Sequence, residues 1–334
     1  MERCVLNLTY CSAIDQIKTY LPANCGVVVL IDASIQKNYG KYFPYPQIPV
    51  KSSEENKSFK TIEKLTLKLL NLGADRSTFI LAVGGGILSD LAGFLASIYM
   101  RGVKFGYVPT TLLAQVDAAI GGKTAVNVSG YKNILGVINQ PQFTIFCPGF
   151  LESLPEKELK AGVAELIKTF IIADRKSYFS AVEKIAKNGY VVSDLWPFIQ
   201  GASRIKANIV ESDPYEHGER ILLNLGHTFA HALEKTVKLS HGEAVSVGIV
   251  LAAKLSVKLG ILSNEEKIII ESDLKRIGLS TTSPVPLKTL SEAIIRDKKR
   301  NKDSIRFVII EKIGKASTYP LEINKLEDYL NDLS

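Results

Sequence analysis

The chain is poor in cysteine, histidine and tryptophan, with 4, 4 and 1 among 334 residues. Cys4, Cys11, Cys25 and Cys147 are scattered without CxxC pairing. That excludes a disulfide framework and a cysteine-built zinc module, and reduced, mostly buried thiols in a cytoplasmic protein are expected. Long hydrophobic runs are also missing. None reaches the roughly 18–20 residues that cross a bilayer, and the first residues lack the basic-then-apolar pattern of a secretory signal. No membrane partner is expected. Low-complexity tracts and internal repeats are absent too. With 46% hydrophobic and 22% charged residues, the composition is that of a globular chain long enough for one large or two medium domains.

Acidic residues are in mild deficit, 34 against 41 basic, for a formal net charge of +7. The one dense basic run is Asp297-Lys298-Lys299-Arg300-Asn301-Lys302. No helix-turn-helix, zinc finger or aromatic-basic pattern accompanies it, so nucleic acid is not an expected partner. Small anionic ligands account for the charge as well.

Residues 26–109 alternate short apolar runs with helical patterns, as βαβ units of a parallel sheet do. Gly26–Asp32, Thr78–Val83 and Val103–Val108 are strand candidates; Ser58–Leu72 and Ile87–Tyr99 are helix candidates. Beyond Pro155 the segments are long and amphipathic: Lys157–Ile172, Leu195–Ser212, Arg220–Thr236, Gly242–Leu259 and Asn264–Ile277. A hairpin is expected over Ile305–Glu311 with a turn at Ile313-Gly314-Lys315. A boundary near residue 155 therefore divides a nucleotide-type α/β domain from a mostly helical one.

Gly84-Gly85-Gly86 follows a strand and opens a helix, with Asp90 one turn on. Glycines there admit a pyrophosphate to backbone N–H groups, but a tight strand–helix turn needs them equally. Three of the four histidines, His227, His231 and His241, fall within fifteen residues. Asn224, His227 and His231 at i, i+3, i+7 share one face of a single expected helix, and His227 with His231 form an i, i+4 pair of candidate ligands. Glu165 and Lys168 are an i, i+3 pair in an apolar run. Either they form a solvent-facing pair or Glu165 completes a His/His/Glu metal site. Gly121-Gly122-Lys123-Thr124 imitates a phosphate loop, yet position 117 is Asp where such a loop needs Gly. A P-loop is rejected, although small residues beside Lys123 and Lys132 suit an anion.

The ordered segments Gly84-Gly85-Gly86…Asp90, Arg101-Gly102-Val103, Val108–Asp117, Gly121–Asn127, Lys132-Asn133, Ala164–Lys168, Leu222–Thr228, His231 and His241–Val245 strongly resemble the 3-dehydroquinate synthase family, from about residue 26 to the hairpin near 315. The resemblance implies an α/β N-terminal Rossmann-like NAD-binding domain, residues 1–155, and a mostly α-helical C-terminal metal- and substrate-binding domain, 156–334. It implies Glu165, His227 and His241 as ligands of a divalent zinc or cobalt ion, and so moves His231 to the substrate. NAD contacts are implied for Asp32, Glu54, Lys57, Gly85, Gly86, Ile87, Asp90, Thr110, Thr111, Lys123, Lys132, Phe150 and Ser153. Asp117, Lys123, Asn133, Lys168, Lys206, Arg220, Asn224, His231 and Lys299 are implied around a phosphorylated sugar acid. Arg101 resembles an arginine that reaches a neighbouring subunit's site, which implies a homodimer. The implied reaction turns 3-deoxy-D-arabino-heptulosonate 7-phosphate into 3-dehydroquinate and phosphate, a step of the shikimate pathway to the aromatic amino acids. It runs by transient oxidation, phosphate elimination, re-reduction and aldol closure, without net redox change. A related cyclase such as 2-deoxy-scyllo-inosose synthase, and a metal-dependent polyol dehydrogenase, are the competing expectations.

Overall fold

A computed structural model of the chain describes residues 5–23, 25–237, 239–298 and 304–331. It divides into two compact units, residues 1–159 and 160–334.

The N-terminal unit is built on six parallel strands: β1 (Leu8–Tyr10), β2 (Val27–Asp32), β3 (Gln47–Val50), β4 (Phe79–Gly84), β5 (Phe105–Pro109) and β8 (Thr144–Phe146). Their order across the sheet is β1-β8-β5-β4-β2-β3. Successive side chains of a strand point to opposite faces, and here both faces are covered, which explains unbroken runs such as Val27-Val28-Val29-Leu30-Ile31. Val28, Leu30, Ile80 and Ala82 face helices α2 (Phe59–Asn71) and α3 (Gly86–Ile98), packing with Ile62, Leu65, Leu88 and Leu91. Val27, Val29, Ile31, Leu81 and Val83 face the other way, against Cys11, Ile17, Phe43 and Phe150. Cys11 and Cys147 are buried free thiols; Cys4 lies outside the described residues. The short helix α1 (Gln36–Tyr39) lies between β2 and β3.

The strand order places a topological switch between β2 and β4. From β2 the chain crosses to β3 on one side; from β4 it crosses to β5 on the other. The crevice at the carboxyl ends of two such strands is where open α/β sheets take ligands, and it lies at Asp32 and Gly84. Strands β6 (Lys123–Val128) and β7 (Tyr131–Ile138) form a separate antiparallel hairpin that packs on α3. A β-carbon on Gly93 would lie 2.1 Å from the Tyr107 hydroxyl and 2.3 Å from Thr124 Cγ2, so glycine is what lets helix, sheet and hairpin approach.

The C-terminal unit is helical, as its amphipathic segments predict: α4 (Glu156–Ala173, beginning just before the division), α5 (Arg175–Asn188), α6 (Val192–Ser212), α7 (His227–Thr236), α8 (His241–Lys258), α9 (Asn264–Arg276), α10 (Leu287–Lys298) and α11 (Ile323–Asn331). Helix α8 is buried on nearly every side, as a central helix must be when apolar all round. The expected hairpin is present as β9 (Ser304–Lys312) and β10 (Lys315–Glu322), fastened to α8 where Ile310 N–H donates to Ser256 Oγ at 2.9 Å.

One expectation is corrected. Residues 220–236 are not a single helix: a 3-10 segment over Glu219–Asn224 ends before Gly226, whose left-handed φ of 76° turns the chain into α7. Asn224 therefore does not lie on the helix that carries His227 and His231. A β-carbon at Gly226 would sit 2.8 Å from Ile249 N and 2.9 Å from Gly248 C, so both its torsion and its surroundings demand glycine.

Candidate metal centre and cofactor crevice

In the C-terminal unit, Glu165 projects from the middle of α4 and is completely buried. His227 Nε2 lies 3.5 Å and His241 Nε2 3.0 Å from its Oε1. Donor atoms about 2.1 Å from a tetrahedral ion are about 3.4 Å apart, so these separations match a zinc-type site. Among the described residues the ligand atoms of Glu165, His227 and His241 lie within 4.8 Å of one another and form a cluster able to hold a metal ion. His231 stands one turn beyond His227, exposed, with ring centroids 5.6 Å apart; it is not in the cluster. The i, i+4 pair of candidate ligands is thus replaced by His227 and His241.

Local sequence explains the placement. Ser240 caps α8 in a capping box: its backbone N–H donates to Glu243 Oε2 at 2.9 Å and its hydroxyl meets the same oxygen at 2.5 Å. This fixes His241 in the first helical position. His227, the first residue of α7, turns Nδ1 to the Leu225 carbonyl at 3.2 Å, and His241 turns Nδ1 to Glu234 Oε1 at 2.8 Å. Lys168, also buried, reaches Glu165 Oε2 at 2.5 Å. Burial alone pushes the Glu165 carboxyl up, but Lys168, His227 and His241 together hold it well below the usual carboxylate range. Burial pushes His241 down, and its bonds to Glu165 and Glu234 overcome this and raise it to about 10. The Nδ1 partners of the two imidazoles hold both rings with Nε2 toward Glu165.

Among the described residues of this unit three cationic side chains are buried, Lys168 on α4, Lys206 on α6 and Arg220 in the 3-10 segment. The Arg220 loop is organised by Asp213, whose carboxylate accepts from the backbone of His217, Gly218 and Arg220. Asn224 donates to Glu216 Oε1 at 2.5 Å. Glu216 and Glu234 were not singled out in the sequence. The signal for Glu234 was its i, i+7 spacing from His227, two helical turns. Lys299 lies outside the described residues.

In the N-terminal unit, Gly85 is the N-cap of α3 and Gly86 its first residue. A β-carbon on Gly86 would lie 2.8 Å from Ala118 Cβ, and one on Gly85 3.1 Å from Thr111 Cγ2. Ile87 sits in the first turn of α3, and Thr110 N–H donates to Gly84 O at 3.0 Å, holding the Thr110-Thr111 end of β5 beside the glycines. Asp32 ends β2, its Oδ1 accepting from Ser34. Bare backbone at a helix start, on the switch point of the sheet, is the setting for a pyrophosphate.

Beside it runs a polar chain. Lys57 is ion-paired with Asp90 and donates to Asn133 Oδ1 at 2.5 Å. Asn133 N–H donates to Asn127 Oδ1 at 2.9 Å, and Asn127 Nδ2 donates to Glu54 Oε1 at 2.8 Å. Burial raises Asp90 to about 6 against the pull of Lys57. Phe150 is buried edge-on against the Tyr39 ring, and the Tyr39 hydroxyl meets Ser153 Oγ at 2.8 Å. Asp117 is half-buried in a π-helical turn, and Lys123 and Lys132 are exposed on β6 and β7. Gly-Gly-Lys-Thr opens a strand, whereas a P-loop opens a helix. Arg101 is exposed in a turn where Met100, Arg101 and Gly102 all have positive φ, 47°, 71° and 115°.

Comparison with known proteins bears on the family and the fold. The profile of the 3-dehydroquinate synthase N-terminal region matches residues 47–161, and that of its C-terminal region residues 162–300. The 3-dehydroquinate synthase of Campylobacter hominis is 41% identical over 272 residues, 80% of this chain and 78% of its own. That of Leptospira interrogans is 40% identical over 317 residues, 91% and 87%. A solved 2-deoxy-scyllo-inosose synthase, complexed with carbaglucose-6-phosphate, NAD+ and Co2+, superposes with a TM-score of 0.86 at 26% identity, covering 99% of this chain and 97% of its own. The 2-epi-5-epi-valiolone synthase of Streptomyces hygroscopicus subsp. jinggangensis 5008, with NAD+ and Zn2+ bound, shares the fold at 23% identity, with a TM-score of 0.88 and coverage of 100% and 98%. With both halves matched in order and relatives about 40% identical over most of their length, the chain belongs to the 3-dehydroquinate synthase family.

Proposed function

We propose that the chain converts 3-deoxy-D-arabino-heptulosonate 7-phosphate into 3-dehydroquinate and inorganic phosphate. The observation that carries this reading is one unit holding both the Glu165–His227–His241 cluster and the buried cations Lys168, Lys206 and Arg220. These side chains gather positive charge in the unit that holds the cluster, and a phosphorylated sugar acid brings a phosphate and a carboxylate that such groups bind by charge-assisted hydrogen bonds. When bound, NAD would accept and return a hydride, and a zinc or cobalt ion on Glu165, His227 and His241 would supply Lewis-acid polarisation.

The chain's own residues bind and orient. The first unit would be the NAD-binding domain: Gly85, Gly86 and Ile87 would meet the pyrophosphate, with Asp32, Glu54, Lys57, Asp90, Thr110, Thr111, Lys132, Phe150 and Ser153 around the rest of the cofactor. Asp117 and Lys123 would serve the junction of cofactor and substrate. Asn133, Lys168, Lys206, Arg220, Asn224 and Lys299 would hold the substrate's anionic groups and hydroxyls. His231, on the same stretch of α7 as His227, would hydrogen-bond a substrate hydroxyl. A homodimer fits the exposed apolar side chains of β7, Tyr131, Ile134, Leu135 and Ile138, since exposed apolar surface marks interfaces, and a cytoplasmic location is proposed with it. Arg101 would then reach the neighbouring subunit's site.

The likeness to 2-deoxy-scyllo-inosose synthase supports a second reading, cyclisation of glucose 6-phosphate. Arg220 and Asn224 favour the acid, since a guanidinium and an amide suit a carboxylate. The deciding experiment measures phosphate release from each sugar by metal-loaded protein, with and without NAD and a chelator, while following 340 nm absorbance. Release from the sugar acid that requires both cofactors, with no accumulation of NADH, is expected. Release from glucose 6-phosphate alone would replace this reading with the second, and stoichiometric NADH would indicate a dehydrogenase.

A further inference from the structure

His241 is held between two carboxylates from different helices: Nε2 faces Glu165 on α4 at 3.0 Å, and Nδ1 faces Glu234 on α7 at 2.8 Å. Glu234 lies two turns beyond His227 on the same helix and face, so α7 supplies one ligand itself and touches the back of the other. We infer that Glu234 is a positioning residue for the metal centre: by accepting the Nδ1 proton of His241, it leaves the Nε2 lone pair directed at the ion and adds a negative charge one imidazole away. The inference rests on Glu165, His227 and His241 being the ligands.

The two imidazoles are supported unequally. His227 has a neutral acceptor behind it, the Leu225 carbonyl at 3.2 Å, whereas His241 has a charged one. The difference matters because of Lys168, whose ammonium lies 2.5 Å from Glu165 Oε2. That lysine draws on the charge of the one carboxylate ligand and opposes a divalent cation. With both histidines neutral, the charges of Glu165 and Lys168 offset one another, and Glu234 adds a negative charge behind His241. The Glu234 side chain is only 13% exposed, so water does little to screen it. A carboxylate behind a ligating imidazole fixes its tautomer and raises its basicity.

The test compares unmodified protein with Glu234→Ala and Glu234→Gln. It measures Co2+ affinity by chelator competition, the visible absorption of the bound Co2+, and the metal-free melting temperature. Ala removes both acceptor and charge, and Co2+ affinity should fall by about 10–100-fold with an altered absorption band. Gln keeps an acceptor oxygen of the same reach and removes the charge, so its loss should be smaller than that of Ala. Affinity and absorption unchanged in both variants would overturn the inference, as would a lower melting temperature with unchanged Co2+ binding. Should the Ala variant fail to fold, the near-isosteric Gln variant decides by the same readouts. Absence of Co2+ binding by the unmodified protein would instead strike at the ligand set.

Discussion

A β-carbon on Gly242 would lie 2.2 Å from Ala161 Cα and 2.8 Å from Ala161 Cβ. Helix α8 thus begins with its backbone against that of α4, one turn before Glu165, and this contact sets His241 opposite the carboxylate. Gly242→Ala should push the helices apart, with a cost at or above the ~1–3 kcal/mol typical of overpacking. The expected result is a lower melting temperature together with lost metal affinity. Ala161→Gly should not rescue it, because Ala161 Cα itself is in the way. A Gly242→Ala protein with normal metal binding would show that the contact does not set the site.

Metal should stabilise the folded protein. An ion that binds only the native state contributes about 2.7 kcal/mol at a free concentration 100 times its Kd, or roughly 5–10 °C in melting temperature for a unit of this size. His227→Ala should keep the fold and lose that response, since Glu165 retains Lys168 and His241 as partners. Scanning calorimetry with zinc and with chelator reads both. A full zinc shift in the variant would remove His227 from the ligand set.

Asp90 gives a pH signature of known sign. Burial raises it from the ordinary 3.8 to about 6, outweighing Lys57, even though its side chain is 20% exposed. Between those values the folded state binds more protons than the unfolded one, so this group's contribution to stability falls as pH rises. The stability of the native sequence relative to Asp90→Asn should therefore decline from pH 4 to pH 7, by up to about 3 kcal/mol. Denaturant titrations across that range measure it, and a difference that grows with pH would mean that the Lys57 ion pair outweighs burial.

Much of this was legible in the sequence, and the exceptions have physical causes. Strands such as Phe79–Gly84 were visible because a sheet covered on both faces needs unbroken apolar runs. Periodicity left Glu165 open between solvent and metal, because its burial depends on α8 meeting α4 some eighty residues later. The apolar pattern of residues 220–236 hid the break at Gly226, whose left-handed torsion answers to the backbone of Gly248. Strands β6 and β7 went unseen because β7 is exposed on both sides and carries no alternation. Helices α5, α10 and α11 were also not marked out. Lys57, Asp90 and Asn133 are far apart in sequence, and their junction follows from the hairpin lying on α3.

Arg220 offers the sharpest separation of substrate binding from folding. It is buried, its backbone N–H donates to Asp213 Oδ2 at 3.1 Å, and its guanidinium donates to the Pro214 carbonyl at 2.5 Å. The backbone bond survives any side-chain replacement, so the 213–220 loop should keep its course in Arg220→Ala. Binding of an anionic substrate would lose a charge-assisted contact of about 1.5–3 kcal/mol, which corresponds to roughly 10–100-fold in KM. Arg220→Lys should recover only part of this, because an ammonium restores the charge without the two-pronged fork that matches a carboxylate. Steady-state kinetics on the sugar acid, with melting temperatures alongside, should show KM rising in the order Arg, Lys, Ala, while the lost guanidinium bond to Pro214 lowers the melting temperature without unfolding the protein. If KM is the same in all three proteins, Arg220 does not bind the substrate and its burial serves the loop alone.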